Sequence, residues 1–71
     1  MKFIVHDKLH GRIVALREIT GVADEAALFA AVYGAKAPRD LKAIAAPAGV
    51  ASLADLAGMK IDVTTGAVVA A

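Results

Sequence analysis

Any chemistry in this chain would have to start from two histidines, His6 and His10, with Asp7 between them. Imidazoles four apart converge on one metal ion when a helix presents them. Here they flank His6-Asp7-Lys8-Leu9-His10-Gly11, whose composition is that of a turn, and no third ligand accompanies them. Asp7 in such a turn bonds its own backbone, so no metal site is expected. Hydroxyl nucleophiles fare no better. Ser52, Thr20, Thr64 and Thr65 are the candidates, yet none sits in a Gly-x-Ser-x-Gly elbow. Ser52, with Asp55 three residues on, is explained as a helix cap. Asp24 and Glu25 are adjacent because a helix starts there, where its dipole favours negative charge. The six glycines stand singly, without a Gly-x-Gly-x-x-Gly or Walker pattern. The residues therefore predict a protein that is not an enzyme, with no catalytic residue, no metal and no cofactor.

Composition points the same way. The chain has 71 residues, 59% of them hydrophobic, and no cysteine; its mean hydropathy is +0.66. Without cysteine there is neither a disulfide nor a thiolate zinc site to stabilise so short a chain. A domain of about 60 residues buries only about 60% of the surface its unfolded chain exposes. Apolar side chains must then remain at the surface, where neighbouring copies or other proteins would cover them. The formal net charge of +1 gives no strong field to attract nucleic acid or anionic lipid. The start, Met1-Lys2-Phe3-Ile4-Val5, is cut short by His6-Asp7-Lys8, which does not fit a secretory signal. The charge-free run 43–54 contains Pro47 and Gly49 and falls short of the ~20 residues of a membrane span. One domain over residues 1–71, in a bacterial cytoplasm and without membrane contact, is the expectation; eighteen alanines suggest a GC-rich bacterial genome or a virus of such a host.

The elements follow from pattern. Phe3-Ile4-Val5 and Ile13-Val14-Ala15-Leu16, separated by turn residues, predict a β-hairpin over 2–18. The second run is apolar on both faces, which predicts cover on both. Asp24 as N-cap and Gly34 as C-terminal cap bracket a helix over 24–34. With no charge from 26 to 35, that helix is expected to be buried nearly all round. Pro38 and Pro47 bracket a second helix over 39–46, with Leu41, Ile44 and Ala45 inward and Arg39 and Lys42 outward. Ser52-x-x-Asp55, closing on Gly58, predicts one or two helical turns. Met59–Val63 and Ala67–Ala70 around Thr64-Thr65-Gly66 predict a terminal hairpin. Pairing of the two hairpins gives an α+β domain of order ββααββ with two or three short helices. The last strand carries no Lys, Glu or Pro to discourage pairing, so it should lie inside the sheet or pair with another chain.

Two stretches carry a resemblance. Met1-Lys2-Phe3-Ile4-Val5, Asp7, Gly11 and Ile13-Val14-Ala15-Leu16, together with Ile61-Asp62-Val63-Thr64-Thr65-Gly66-Ala67-Val68, resemble the terminal hairpins of small virion and assembly proteins of tailed bacteriophages. The resemblance implies a non-catalytic structural protein of the head, tail or baseplate, present in many copies in the virion and bound to itself as a homo-oligomer or to other virion proteins. Where that hairpin often has an acidic residue after its glycine, this chain has Ala67. Phe29, Val32 and Tyr33 on the helix and Val68 and Val69 on the last strand are the expected protein interface, with Phe3 and Leu16 in the core. A second reading takes the helices over 24–34 and 39–46 as an imitation of a helix-turn-helix, in a DNA-associated regulator or antitoxin-like protein using Lys36, Arg39 and Lys42. Its break is long and contains proline, and alanine fills the base-contact positions. A third reading is a small inhibitor docking on a host protein.

Overall fold

Strand β1 (Lys2–Asp7) organises the molecule, because Phe3, Ile4, Val5 and His6 are all buried in it. Successive side chains of a strand point to opposite faces, so a strand buried at every position needs cover on both. The computed structural model describes residues 2–34, 36 and 38–71. Among these, β1 is followed by β2 (Ile13–Glu18), α1 (Glu25–Tyr33), β3 (Leu41–Ala45), a 3-10 helix (Leu53–Leu56), β4 (Met59–Ile61) and β5 (Val68–Ala70). The result is a small α+β fold with two antiparallel sheets, one three-stranded in the order β2-β1-β3 and one of β4 with β5.

Each face of β1 has its own cover. Phe3 and Val5 pack with Val22, Leu28 and Ala43, against which Phe29, Val32 and Leu41 lean, so α1 closes one side. Ile4 packs with Leu56 and Ile61, with Leu16, Ile44 and Val68 around them, so the 3-10 helix and the terminal hairpin close the other. Full burial of side chains such as Ile4, Leu28 and Ile61 contributes about 1.5–3 kcal/mol each.

The expected first hairpin, the helix with its two caps, the turn at Ser52 and the terminal hairpin are all present. The Asp24 carboxylate accepts from the Ala27 N–H at 2.8 Å, and Gly34 ends α1 with φ 64°. Three expectations are corrected. The segment 39–46 is no helix; its residues 41–45 form strand β3, paired with β1 from Phe3↔Ala45 to Asp7↔Leu41. Alanine favours helix only weakly against tertiary demand. A central strand buried on both faces needs both rows of backbone groups paired, and β2 satisfies only one. The order is therefore not ββααββ, and a single α-helix is found among the described residues. Next, the hairpins do not share a sheet. Finally, α1 is not buried all round: Leu28 alone is fully buried, and Ala26, Ala27, Ala30 and Ala31 face outward. A helix on one side of a three-stranded sheet touches it along one stripe only. Met1, in the first stretch carrying the resemblance, and Ala35 and Ala37, in the break between the two expected helices, lie outside the described residues.

The two hairpin turns repeat one design. In residues 7–12 the Asp7 carboxylate accepts from the N–H groups of Leu9 and His10 at 3.1 and 2.9 Å. The Gly11 N–H donates to the Asp7 carbonyl, and the Asp7 N–H to the Arg12 carbonyl. In residues 62–67 the Asp62 carboxylate accepts from Thr64 and Thr65 at 2.9 and 3.3 Å. Gly66 donates to the Asp62 carbonyl, and Asp62 to the Ala67 carbonyl. Both glycines are left-handed, with φ 75° and 76°.

Their surroundings differ. Gly66 has open space where a Cβ would stand, whereas a Cβ at Gly11 would land on the Ile61 carbonyl oxygen. The same approach lets the Ile61 N–H donate to the Gly11 carbonyl at 2.8 Å, which ties the terminal hairpin to the first. The pair of glycines thus separates local strain from tertiary contact. Gly66→Ala should cost only the left-handed penalty, about 1–2 kcal/mol, or about 4–8 °C of Tm per kcal/mol in a domain of this size. Gly11→Ala should abolish the cooperative transition in thermal circular dichroism, because it adds displacement of β4 from the core. Equal losses in the two variants would refute the role given to the Gly11–Ile61 contact.

Candidate interaction surface

Four large aliphatic side chains stand out at the surface: Leu9 is 76% exposed, Val14 52%, Leu53 52% and Val63 48%. Each has a local cause. Leu9 and Val63 lie in the twin turns, where backbone bonds to Asp7 and Asp62 hold the chain and side chains are free to point outward. Val14 is the extra residue of a bulge, since Val5 pairs with Ala15 and His6 with Ile13. Leu53 opens the 3-10 helix, whose Leu56 is buried.

The expected interface residues are each half-buried. Phe29 and Val32 lean on the Phe3–Val5–Leu28 cluster, and the Tyr33 ring lies 5.7 Å from that of Phe29, tilted by 54°. Val68 packs on the Ile4–Leu56–Ile61 cluster, while Val69 alternates to the opposite face of the hairpin. Phe3 is buried and Leu16 supports the second cluster. Helix and terminal strand lie on opposite sides of the three-stranded sheet, so these residues do not form one patch.

Lys36, Arg39 and Lys42 are exposed. Lys42 sits on β3 opposite His6, not on a helix. A helix-turn-helix over these residues is thereby removed, because the recognition helix it requires is a sheet strand.

No family model, curated protein or solved structure matches this chain.

The histidines do not meet as a pair. His6 is 3% exposed, and its Nδ1 lies 2.8 Å from the Asp7 carbonyl oxygen. A carbonyl only accepts, so Nδ1 carries a hydrogen. His10 sits in the turn with its Nδ1 3.3 Å from Asp7 Oδ2, an ion pair when the ring is protonated. No three His, Asp or Glu residues come together as a metal site among the described residues. No helix among them is long and apolar enough to cross a membrane.

Sequence reasoning missed what happens at the strand edges. Ala46 donates to the Lys2 carbonyl and Lys8 to the Asp40 carbonyl, so by alternation the N–H groups of Leu41, Ala43 and Ala45 face away from β1. The Glu25 carboxylate takes one of them, the Ala43 N–H, at 2.7 Å. An acid placed for the helix dipole therefore also plugs the free edge of β3. The free edge of β2 is broken by the Val14 bulge and carries Arg12, Arg17 and Glu18, all exposed. Along β4, the outward Ile61 N–H is occupied by Gly11. In β5, Asp62 donates to Ala67 and Ala71 donates to Gly58, which turns residues 67, 69 and 71 toward β4 and the backbone groups of Val68 and Ala70 outward. No charge lies between Gly66 and Ala71.

Two carboxylates are held ionised by backbone donors. The N–H groups of Leu9 and then His10 lower the Asp7 pKa from 3.8. Those of Ala51 and then Ser52 lower the Asp55 pKa, at 2.8 and 3.0 Å from its Oδ2, with the Lys2 charge adding to them. The folded form holds its protons less tightly than the unfolded chain. The stability these bonds contribute is present in full above pH about 4 and is lost as pH falls through the lowered folded values. The urea midpoint should fall with decreasing pH through that window. Asp7→Asn and Asp55→Asn should each flatten the fall while lowering stability at neutral pH; an unchanged slope in both would refute the assignment.

Proposed function

We propose that this chain is a non-catalytic structural or assembly protein, a multi-copy component of a bacteriophage particle that acts through apolar protein-protein contacts in the virion or in the cytoplasm of its bacterial host. The observation that carries the reading is the exposure of Leu9, Val14, Leu53 and Val63 on so small a domain. The accessible surface supports it: 4554 Å², against about 4100 Å² for a typical monomer of this mass. Covering that excess would bring the chain to the surface economy of an ordinary globular protein. The phage attribution rests on the resemblance of the terminal hairpins, whose turns share the Asp-x-x-x-Gly bonding scheme described above.

Association rather than turnover is then the mechanism. Desolvating one exposed Leu or Val side chain contributes about 1.5–3 kcal/mol at most, so a contact needs several of them together. Light scattering over an about hundredfold concentration range should show the mass rising above 7.2 kDa. The double variant Leu53→Asp, Val63→Asp should keep its circular dichroism and associate more weakly. A folded wild-type monomer at every concentration would overturn the reading and favour docking on a different protein.

A further inference from the structure

The strand edges differ in a way that singles out one of them. Three edges of the two sheets are not covered by a neighbouring strand or by Gly11. The β3 edge carries the Glu25 carboxylate on its Ala43 N–H, and the β2 edge is bulged and charged. Natural sheets use such inward acids, bulges and charges to prevent edge-to-edge pairing. The β5 edge has none of them. Its open N–H and C=O groups, those of Val68 and Ala70, are two residues apart on one side of the strand.

We infer that β5 pairs with β5 of a second copy of this chain, antiparallel about a two-fold axis at Val69. This inference rests on the assembly reading above and names its contact. In that register Val68 of each copy exchanges both backbone bonds with Ala70 of the other, and the open groups of one edge map onto those of its partner without remainder. Val69 meets its own copy at the close, non-hydrogen-bonded position, where Cα atoms approach to about 4.5 Å. The product is a four-stranded sheet of two hairpins.

Charge permits the pairing. No charged side chain lies on the paired segments. The nearest, Lys60, is opposite Val69 on β4. The two copies of Lys60 would be separated by three strand spacings, about 14 Å, beyond the Debye length of about 8 Å at physiological ionic strength. The contact is short, so it should be weak in isolation and effective where many copies are held together.

The test combines light scattering from about 10 µM to 1 mM with isotope-filtered NMR on a mixture of labelled and unlabelled chain. Wild-type mass should double across that range, with an intermolecular Overhauser effect between the Hα protons of Val69. Ala70→Pro removes an N–H that β4 does not use, so the hairpin should survive while association falls at least tenfold. Ala70→Lys, which keeps the backbone donor but places two cations near the axis, should weaken association similarly and covers the case in which proline disturbs the fold. Association unchanged in both folded variants, with no Val69 contact, would overturn edge pairing and leave the assembly reading standing. A wild-type monomer up to 1 mM would overturn both.

Discussion

A strand that is apolar on both faces must be covered on both, and in this chain β1 imposes that demand on fewer than seventy other residues. Phe3 and Val5 call for one cover and Ile4 for another. The chain answers with α1 on one side and the 3-10 helix with its hairpin on the other. Polar contacts pin each cover to the sheet. Lys2 Nζ donates to the Val50 and Ala51 carbonyls ahead of the 3-10 helix, and one contact through a backbone N–H acts on each side besides. On the first side it is the Glu25 carboxylate on the Ala43 N–H; on the second it is the Ile61 N–H on the Gly11 carbonyl. Neither contact is worth much in net stability, since a hydrogen bond contributes about 0.5–1.5 kcal/mol, or up to about 3 when charged. Their effect is positional: they set where each apolar cover lands.

The local elements were legible because their signals are local. Asp24 and Gly34 delimit α1, Ser52 and Asp55 the 3-10 turn, and alternation with turn residues the two hairpins. The strand β3 was not, since Leu41-Lys42-Ala43-Ile44-Ala45 satisfies a helical stripe and a strand equally well. What decides it is the vacant edge of β1, and no window of sequence contains that edge. The small Cβ of Ala43, which favours helix in isolation, here lets α1 lie close to the sheet, and Ala43 is buried as a result. The surface was read with the same limit. Val68 and Val69 could be assigned to a strand lacking protective charges, but the plug on β3 could not be seen, because Glu25 reaches it across eighteen residues.

A signal for part of the tertiary arrangement was nevertheless present. Asp7 to Gly11 and Asp62 to Gly66 have one spacing, and both fold into one bonding scheme. Identical local code leads to different surroundings, however. Gly66 needs its missing Cβ for backbone angle alone, while Gly11 needs it for angle and for room beside Ile61. Spacing reveals the turn, and only the packing of the second hairpin reveals which glycine the fold cannot exchange.

The distribution of protective devices bears on function more directly than any single side chain. Exposed edges are a hazard for every sheet protein, and bulges, charges and inward acids are the devices that blunt them. This chain places such devices on β2 and β3. If the sole requirement were to remain monomeric, β5 would be the first place to put one, being apolar, short and free of constraint from α1. A single Lys or Glu at Ala70, which is exposed, would suffice without disturbing the Val68 contact with the core. The same holds for Leu53 and Val63, where polar residues would fit the 3-10 helix and the turn equally well. The monomer fold does not dictate apolar side chains at Leu53 and Val63, and on the proposed assembly reading these are surfaces that would become buried when copies meet.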